Sequence, residues 1–179
     1  ITMCNDYLKQ TTDERLNDRG VDDALRANIQ YYRSETRFLR ALMYYHAMDM
    51  FGNTPFITEN DPIGTYLPPQ RSRAELYSFI ESELLELSDD PHMTEPRQNE
   101  YGRADKAAVW MLLSRLYLNA EVYIQTPKYD ECMKYARNVI SAGYDLCPNY
   151  AELFMADNGE NTDARKEMIF TINFDGRWT

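Results

Sequence analysis

The chain has 179 residues, 44% of them hydrophobic and 13% aromatic, which is enough to bury one sizeable core and excludes global disorder. Its 19 Lys and Arg stand against 29 Asp and Glu, for a net charge of −10, which excludes a nucleic-acid partner, because such a partner needs a cationic face to displace counterions. Three cysteines (Cys4, Cys132 and Cys147) in no local motif do not describe a disulfide framework.

The opening residues read as helix, with Ile1, Met3, Cys4, Tyr7 and Leu8 as its apolar positions. A long helix is predicted over about 21–51. Phe38, Leu42 and Tyr45 recur at i, i+4 and i+7, and Leu39, Met43, His46 and Met50 widen the stripe. Gly52 stops it and Pro55 prevents its return. After a long loop, 52–71, a second helix is predicted over 72–88. Ser72 and Glu75 have the spacing of a capping box; Leu76, Phe79, Ile80, Leu84 and Leu87 form the buried stripe, with Glu81, Glu83 and Glu86 facing water. The third helix, 104–123, is apolar nearly all round at 107–113, as in helices buried between others. The fourth, 128–142, carries Tyr129, Cys132, Met133, Ala136, Val139 and Ile140 at helical spacing and ends at Gly143.

A short loop with Pro127 makes helices three and four a hairpin, whose core should contain Trp110, Leu112, Leu116, Cys132, Ala136 and Ile140. Helices one and two form a looser pair. The fold class is therefore all-α, built from antiparallel helix pairs as in tetratricopeptide-like solenoids, without that repeat's strict consensus. After Gly143 the pattern changes to a short helical or irregular piece at 144–155, then a polar loop at 157–163. Residues 168–174, Met-Ile-Phe-Thr-Ile-Asn-Phe, read as a short extended strand near the C-terminus.

Candidates for bond chemistry are few. His46 lies on an apolar helical face, where a core role is expected, and His92 sits in a Pro-flanked loop without a recognisable partner. Asp89/Asp90 and Glu81/Glu83 read as solvated acids rather than as facing carboxylates. The loop at 157–163 has its glycine at the third position, which is wrong for a calcium loop, so it reads as a polar turn. No metal site and no cofactor is expected. Sequence alone leaves a Cys132–Cys147 bridge open. Fourteen tyrosines and two tryptophans exceed what the helical stripes use. Aromatic faces suit sugar rings, and Asp, Asn and Arg suit hydroxyls. The ligand-binding candidates are accordingly Trp178 with Asp175 and Arg177, and Tyr66 in the long loop.

Four segments stand out as motifs. The first is Glu35-Thr36-Arg37-Phe38-Leu39-Arg40-Ala41-Leu42-Met43-Tyr44 running into Phe51-Gly52-Asn53-Thr54-Pro55. The second is Gly102-Arg103-Ala104-Asp105-Lys106-Ala107-Ala108 with Leu112 to Leu118 after it. Tyr135-Ala136 to Ile140, Gly143-Tyr144, Leu146, Tyr150 and Leu153-Phe154 make the third, and Asn161 with Glu167-Met168-Ile169-Phe170 the fourth. In this order they resemble the SusD/RagB family of nutrient-binding lipoproteins, and they look like scaffold residues, with Arg37 and Arg40 bridging neighbouring helices. The resemblance implies that 1–179 is part of one SusD-like domain, with N- and C-terminal parts of the natural protein absent. It implies a non-enzymatic binder of oligosaccharides or peptides on the extracellular face of a Gram-negative outer membrane. Its partner would be a SusC-like TonB-dependent transporter, and it would touch the membrane only through a lipid anchor outside this segment. The alternative is a TPR-like scaffold for protein–protein contacts. The family's ligand contacts follow no motif, so none is carried over by position.

Overall fold

The computed structural model describes residues 1–62, 64 and 66–173. Eight α-helices follow in order: α1 (Thr2–Gln10), α2 (Asp13–Asp18), α3 (Asp23–Phe51), α4 (Arg73–Asp89), α5 (Lys106–Leu118), α6 (Ala120–Ile124), α7 (Tyr129–Ser141) and α8 (Thr162–Glu167). A 3-10 turn occupies Tyr150–Phe154. Two-residue strands β1 (Thr54–Pro55) and β2 (Gln70–Arg71) pair antiparallel between α3 and α4. None of the helices is long and apolar enough to cross a membrane among the described residues.

Local chemistry sets the helix ends. Asp22 caps α3 by accepting from the Leu25 N–H at 2.8 Å. Ser72 and Glu75 form the expected reciprocal capping box on α4. Gly52 ends α3 at φ +73°, and a Cβ there would meet the Arg73 guanidinium at 3.1 Å. The third predicted helix breaks in two at Asn119, which leaves helical geometry and turns its Nδ2 back onto the Arg115 carbonyl at 3.2 Å. Asparagine's local hydrogen bonding competes with the helix ladder, and here it interrupts it.

The pairs α3/α4 and α5/α7 pack as the periodicity implies, α4 joins them by also packing on α5, and α1 lies on α3. The core holds Phe38, Ala41, Tyr44 and Met48 from α3; Leu76, Ile80, Leu84 and Leu87 from α4; and Leu112, Leu113 and Leu116 from α5. Several assignments move. On α7 the buried residues are Tyr135 and Val139, whereas Ile140 is 74% exposed and Ala136 and Cys132 are half-buried. The seam is turned toward Tyr135 because its ring stacks on Tyr117 at 5.8 Å. Trp110 is half-buried at the core edge, donating its indole N–H to Ser88 Oγ at 2.9 Å. His46 is exposed, because the stripe on α3 is centred on Phe38, Ala41, Tyr45 and Met48. All three cysteines are free.

The expected extended strand has no ladder in its described part, 168–173, and Phe174 lies outside the described residues. Ile169 and Phe170 pack on the helical core instead, Phe170 meeting Phe38 edge-on at 5.4 Å. The polar loop at 157–163 ends early, because Asn161 accepts from the N–H groups of Asp163 and Ala164 and starts α8.

The core assignment is tested by paired truncations. Leu116→Ala should cost roughly 2–5 kcal/mol in urea unfolding through lost burial and a cavity. Ile140→Ala should stay within about 0.5 kcal/mol, as surface changes do. Equal costs would contradict the seam at Tyr135 and Val139.

Candidate functional site

The loop between α3 and α4 is held at both ends. Its base is closed by β1 and β2, with Thr54 opposite Arg71 and Pro55 opposite Gln70. Its first turn is held by Tyr44 of α3, whose hydroxyl donates to the Ile57 carbonyl at 2.7 Å and accepts from the Ile57 N–H at 2.9 Å. Phe56 packs on Tyr44 and Phe79, with ring centroids at 5.0 and 4.8 Å. Asn5 of α1 donates to the same Ile57 carbonyl at 3.1 Å.

Beneath this loop lies a charge cluster. Arg40, 3% exposed, donates to Asn5 Oδ1 at 3.0 Å and Glu83 Oε2 at 2.9 Å, and is paired with Glu59. Arg37 donates to Glu83 Oε1 at 2.8 Å and also pairs with Glu86. Glu83, expected to face water, is thus largely covered, and Glu81 is paired with Lys128 at 2.7 Å. Only Glu86 of the three is mostly in solvent. Burial pushes the Glu83 carboxyl up, but the hydrogen bonds and charges of Arg37 and Arg40 outweigh it and hold it below the ordinary carboxylate range.

Above the cluster, α1 and the loop enclose a groove of about 450 Å³. Met3, Ile57, Pro62, Tyr66 and Pro68 supply its apolar surface, and Asn5, Asp6, Lys9, Thr58, Glu59 and Asp61 its polar groups. Tyr66 is 39% exposed, so a ring face remains accessible. Asp61 accepts from Thr58 N–H at 2.7 Å and Thr58 Oγ1 at 3.0 Å, which positions a carboxylate at the rim. An aromatic and proline wall with a few oriented acceptors is the common design of a small-ligand site.

Of the predicted site residues, Tyr66 lines this groove. Asp175, Arg177 and Trp178 lie outside the described residues. Sequence reasoning missed the α1 side of the groove, Asp6 and Lys9, because nothing local pairs a helix at the chain's start with a loop some fifty positions on. His92, read as partnerless, meets Asp90 through Nδ1 at 3.2 Å and faces Tyr31 edge-on. Among the described residues, no group of three or more His, Cys, Asp or Glu could hold a metal ion. A separate apolar groove runs along α3 and α5, lined by Phe38, Leu42, Met111, Leu112, Leu153 and Phe154.

No family model matches the chain. It is 46% identical over 176 residues to the starch-binding protein SusD of Bacteroides thetaiotaomicron, which covers 98% of this chain and 29% of that protein. The solved structure of surface glycan-binding protein A from Bacteroides uniformis matches with a TM-score of 0.72 at 27% identity, over 96% of this chain and 35% of that one. Surface glycan-binding protein A from Bacteroides thetaiotaomicron, in complex with laminarihexaose, matches with a TM-score of 0.66 at 29% identity, over 93% and 32%. Helix pairs of this kind and the four sequence motifs define a SusD-like helical scaffold. The chain belongs to the SusD/RagB family. It spans less than a third of the length of the curated relatives it matches.

The charge cluster makes stability depend on acid in a defined direction. A carboxyl depressed in the folded state adds stability that is complete above its unfolded pKa and is lost as pH falls through the folded one. Urea midpoints of the wild type should therefore drop as pH falls below the ordinary carboxylate range. Glu83→Gln should cost about 3 kcal/mol at neutral pH, as expected for removing one partner from a buried ion pair. It should also flatten the acid slope. Identical slopes for both proteins would rule out Glu83 as the titrating group.

Proposed function

We propose that the chain is part of one SusD-like domain of a cell-surface protein that captures glycans and hands them to a SusC-like TonB-dependent transporter. The observation carrying this reading is the 46% identity, along 98% of the chain, to a protein named for binding starch. The groove at Tyr66 supports it chemically. A tyrosine face can stack on the apolar face of a sugar ring, and Asp6, Asp61 and Thr58 offer oxygens to its hydroxyls. Asp175, Arg177 and Trp178 belong to the proposal as a second contact, with Trp178 as the ring platform. The protein would act on the extracellular face of the outer membrane, held by a lipid anchor outside this segment. It would bind and release without breaking bonds: of the three carboxylates lining the groove, Glu59 is paired with Arg40, Asp61 accepts from Thr58 and Asp6 accepts from Gln10.

One observation favours a second reading, a scaffold that grips peptides: the apolar groove along α3 and α5, where a helix or extended segment could lie. Calorimetry separates the two. The full-length protein is titrated with maltooligosaccharides, laminarioligosaccharides and a panel of unrelated peptides. Glycan binding is expected, and Tyr66→Ala or Trp178→Ala should weaken it by about 1–2 kcal/mol, the range of aromatic contacts. Binding of peptides alone would favour the scaffold. Shorter oligosaccharides released on long incubation would overturn the non-enzymatic reading, and unchanged affinity in both variants would overturn the site.

A further inference from the structure

A second cavity, of about 340 Å³, opens on another part of the molecule, between the segment preceding α5, Tyr144 after α7, and α8 with the residues following it. Its charge is unlike that of the rest of the chain. Arg97, Arg103, Arg165 and Lys166 line it against Glu100 and Asp105; with Glu35 and Asp163, which pair with Arg103 and Lys166, the neighbourhood holds four cations and four acids in a chain of net charge −10. The whole-chain repulsion of anions is screened beyond about 8 Å at physiological ionic strength, so the local arrangement decides what enters.

The lining is organised rather than merely basic. Arg103 is committed to Glu35 through Nε at 3.1 Å, and Lys166 to Asp163 at 2.7 Å. Arg97 and Arg165 make no ion pair among the described residues. Arg97 is held in the left-handed region at φ +63°, and its Nη1 donates to the Gly143 carbonyl at 2.9 Å and the Lys166 carbonyl at 3.3 Å, which leaves the Nε and Nη2 edge for a ligand. Its guanidinium lies over the Tyr144 ring at 5.3 Å, and that of Arg165 over Tyr101 at 4.5 Å. Asp105 forms no ion pair with them. Its oxygens accept from the N–H groups of Arg97, Ala107 and Ala108 and from the Tyr144 hydroxyl at 3.2 Å. Two ring-backed guanidiniums facing one cavity are preorganised for an anion with planar oxygens, because each fork can donate two parallel hydrogen bonds.

We propose that this cavity binds a carboxylate-bearing sugar unit, a uronic acid, with Arg97 and Arg165 gripping the carboxylate and Tyr101 and Tyr144 forming the wall beside the ring. The volume lies within the ~300–1,000 Å³ of small-ligand pockets and suits one or two sugar units rather than a long chain. The site is separate from the Tyr66 groove and would add a charge preference that the groove does not supply.

The test is calorimetry of the full-length protein with α-1,4-linked trigalacturonate and with neutral α-1,4-galactotriose, which differ only in carboxylate against hydroxymethyl. Trigalacturonate should bind at least tenfold more tightly and weaken as salt rises. Arg165→Gln should reduce that binding about tenfold, the size of one lost charge-assisted contact. Arg165→Lys should recover little, because a point charge does not replace a fork. Arg165 is exposed, so these variants should keep the wild-type circular dichroism spectrum. Equal affinity for the two trisaccharides, or trigalacturonate binding unchanged in Arg165→Gln and Arg97→Gln, would overturn the proposal. Tyr66→Ala should leave trigalacturonate binding intact, so the two sites can fail independently.

Discussion

A guanidinium in the interior is the constraint around which the N-terminal half is arranged. Removing a charge from water costs several kcal/mol unless partners surround it, and Arg40 is almost wholly covered. Its partners come from three segments: Asn5 from α1, Glu59 from the long loop and Glu83 from α4. The ring of Phe79 also lies 5.5 Å from the guanidinium carbon. A hydrophobic contact tolerates sliding, but charged partners at hydrogen-bond distance do not. The cluster therefore specifies how α1 and the loop sit on α3, and with them the two walls of the Tyr66 groove.

The same logic explains why α4 is central. Residues two apart on a helix do not share a face. Glu81 and Glu83 consequently reach opposite neighbours, Glu83 the arginines of α3 and Glu81 the Lys128 at the start of α7. Lys128 in turn lies over the rings of Tyr77 and Tyr117, at 5.8 and 5.4 Å. Each helix pair is thus tied to α4 by an acid as well as by leucines. The tyrosines share in this. Six of the fourteen are buried in the core, and Tyr44 and Tyr123 satisfy their hydroxyls there, Tyr123 on Asp49 at 2.6 Å. The aromatic surplus that suggested a binding surface is to that extent interior packing, and the buried Tyr77 hydroxyl has no hydrogen-bond partner among the described residues.

The contrast between what sequence reading found and what it missed follows from the range of the interactions. Helices α3, α4, α5 and α7 were legible because apolar periodicity and caps such as Ser72 are local. The break at Asn119 was missed because an apolar stripe carries across it. Glu81 and Glu83 were taken as solvated, since a run of acids on an amphipathic helix looks the same whether water or an arginine from another helix faces it. The seam on α7 was misplaced by one position because Val139 and Ile140 are equally apolar, and only the partner ring at Tyr117 selects between the faces. Tyr66 was picked out as an aromatic in the long loop, and the structure shows that it lines a groove. The other wall of its groove depends on contacts between distant segments, which periodicity does not encode.

The motifs that identify the family are themselves joined in the fold. Glu35, from the first motif, accepts from Arg103 of the second. Asn161, from the fourth, caps α8 and donates to Glu152 at 3.0 Å, inside the span of the third. Glu167 of the fourth accepts from the Cys147 N–H at 2.7 Å, also within the third. Gly102 of the second has φ +87°, and a Cβ there would come within 2.5 Å of the Asn173 side chain. Glu35, Asn161 and Glu167 are therefore occupied with holding another motif in place. Tyr66, Asp61 and Arg165, which line cavities, stand outside the motif residues, whereas Arg103, Asp105 and Tyr144 belong to motifs and line a cavity as well. A scaffold wired in this way holds the ends of its loops while leaving their contents free to change. Motif residues therefore set parts of the cavity walls, and the character of each cavity depends also on the residues that lie between the motifs.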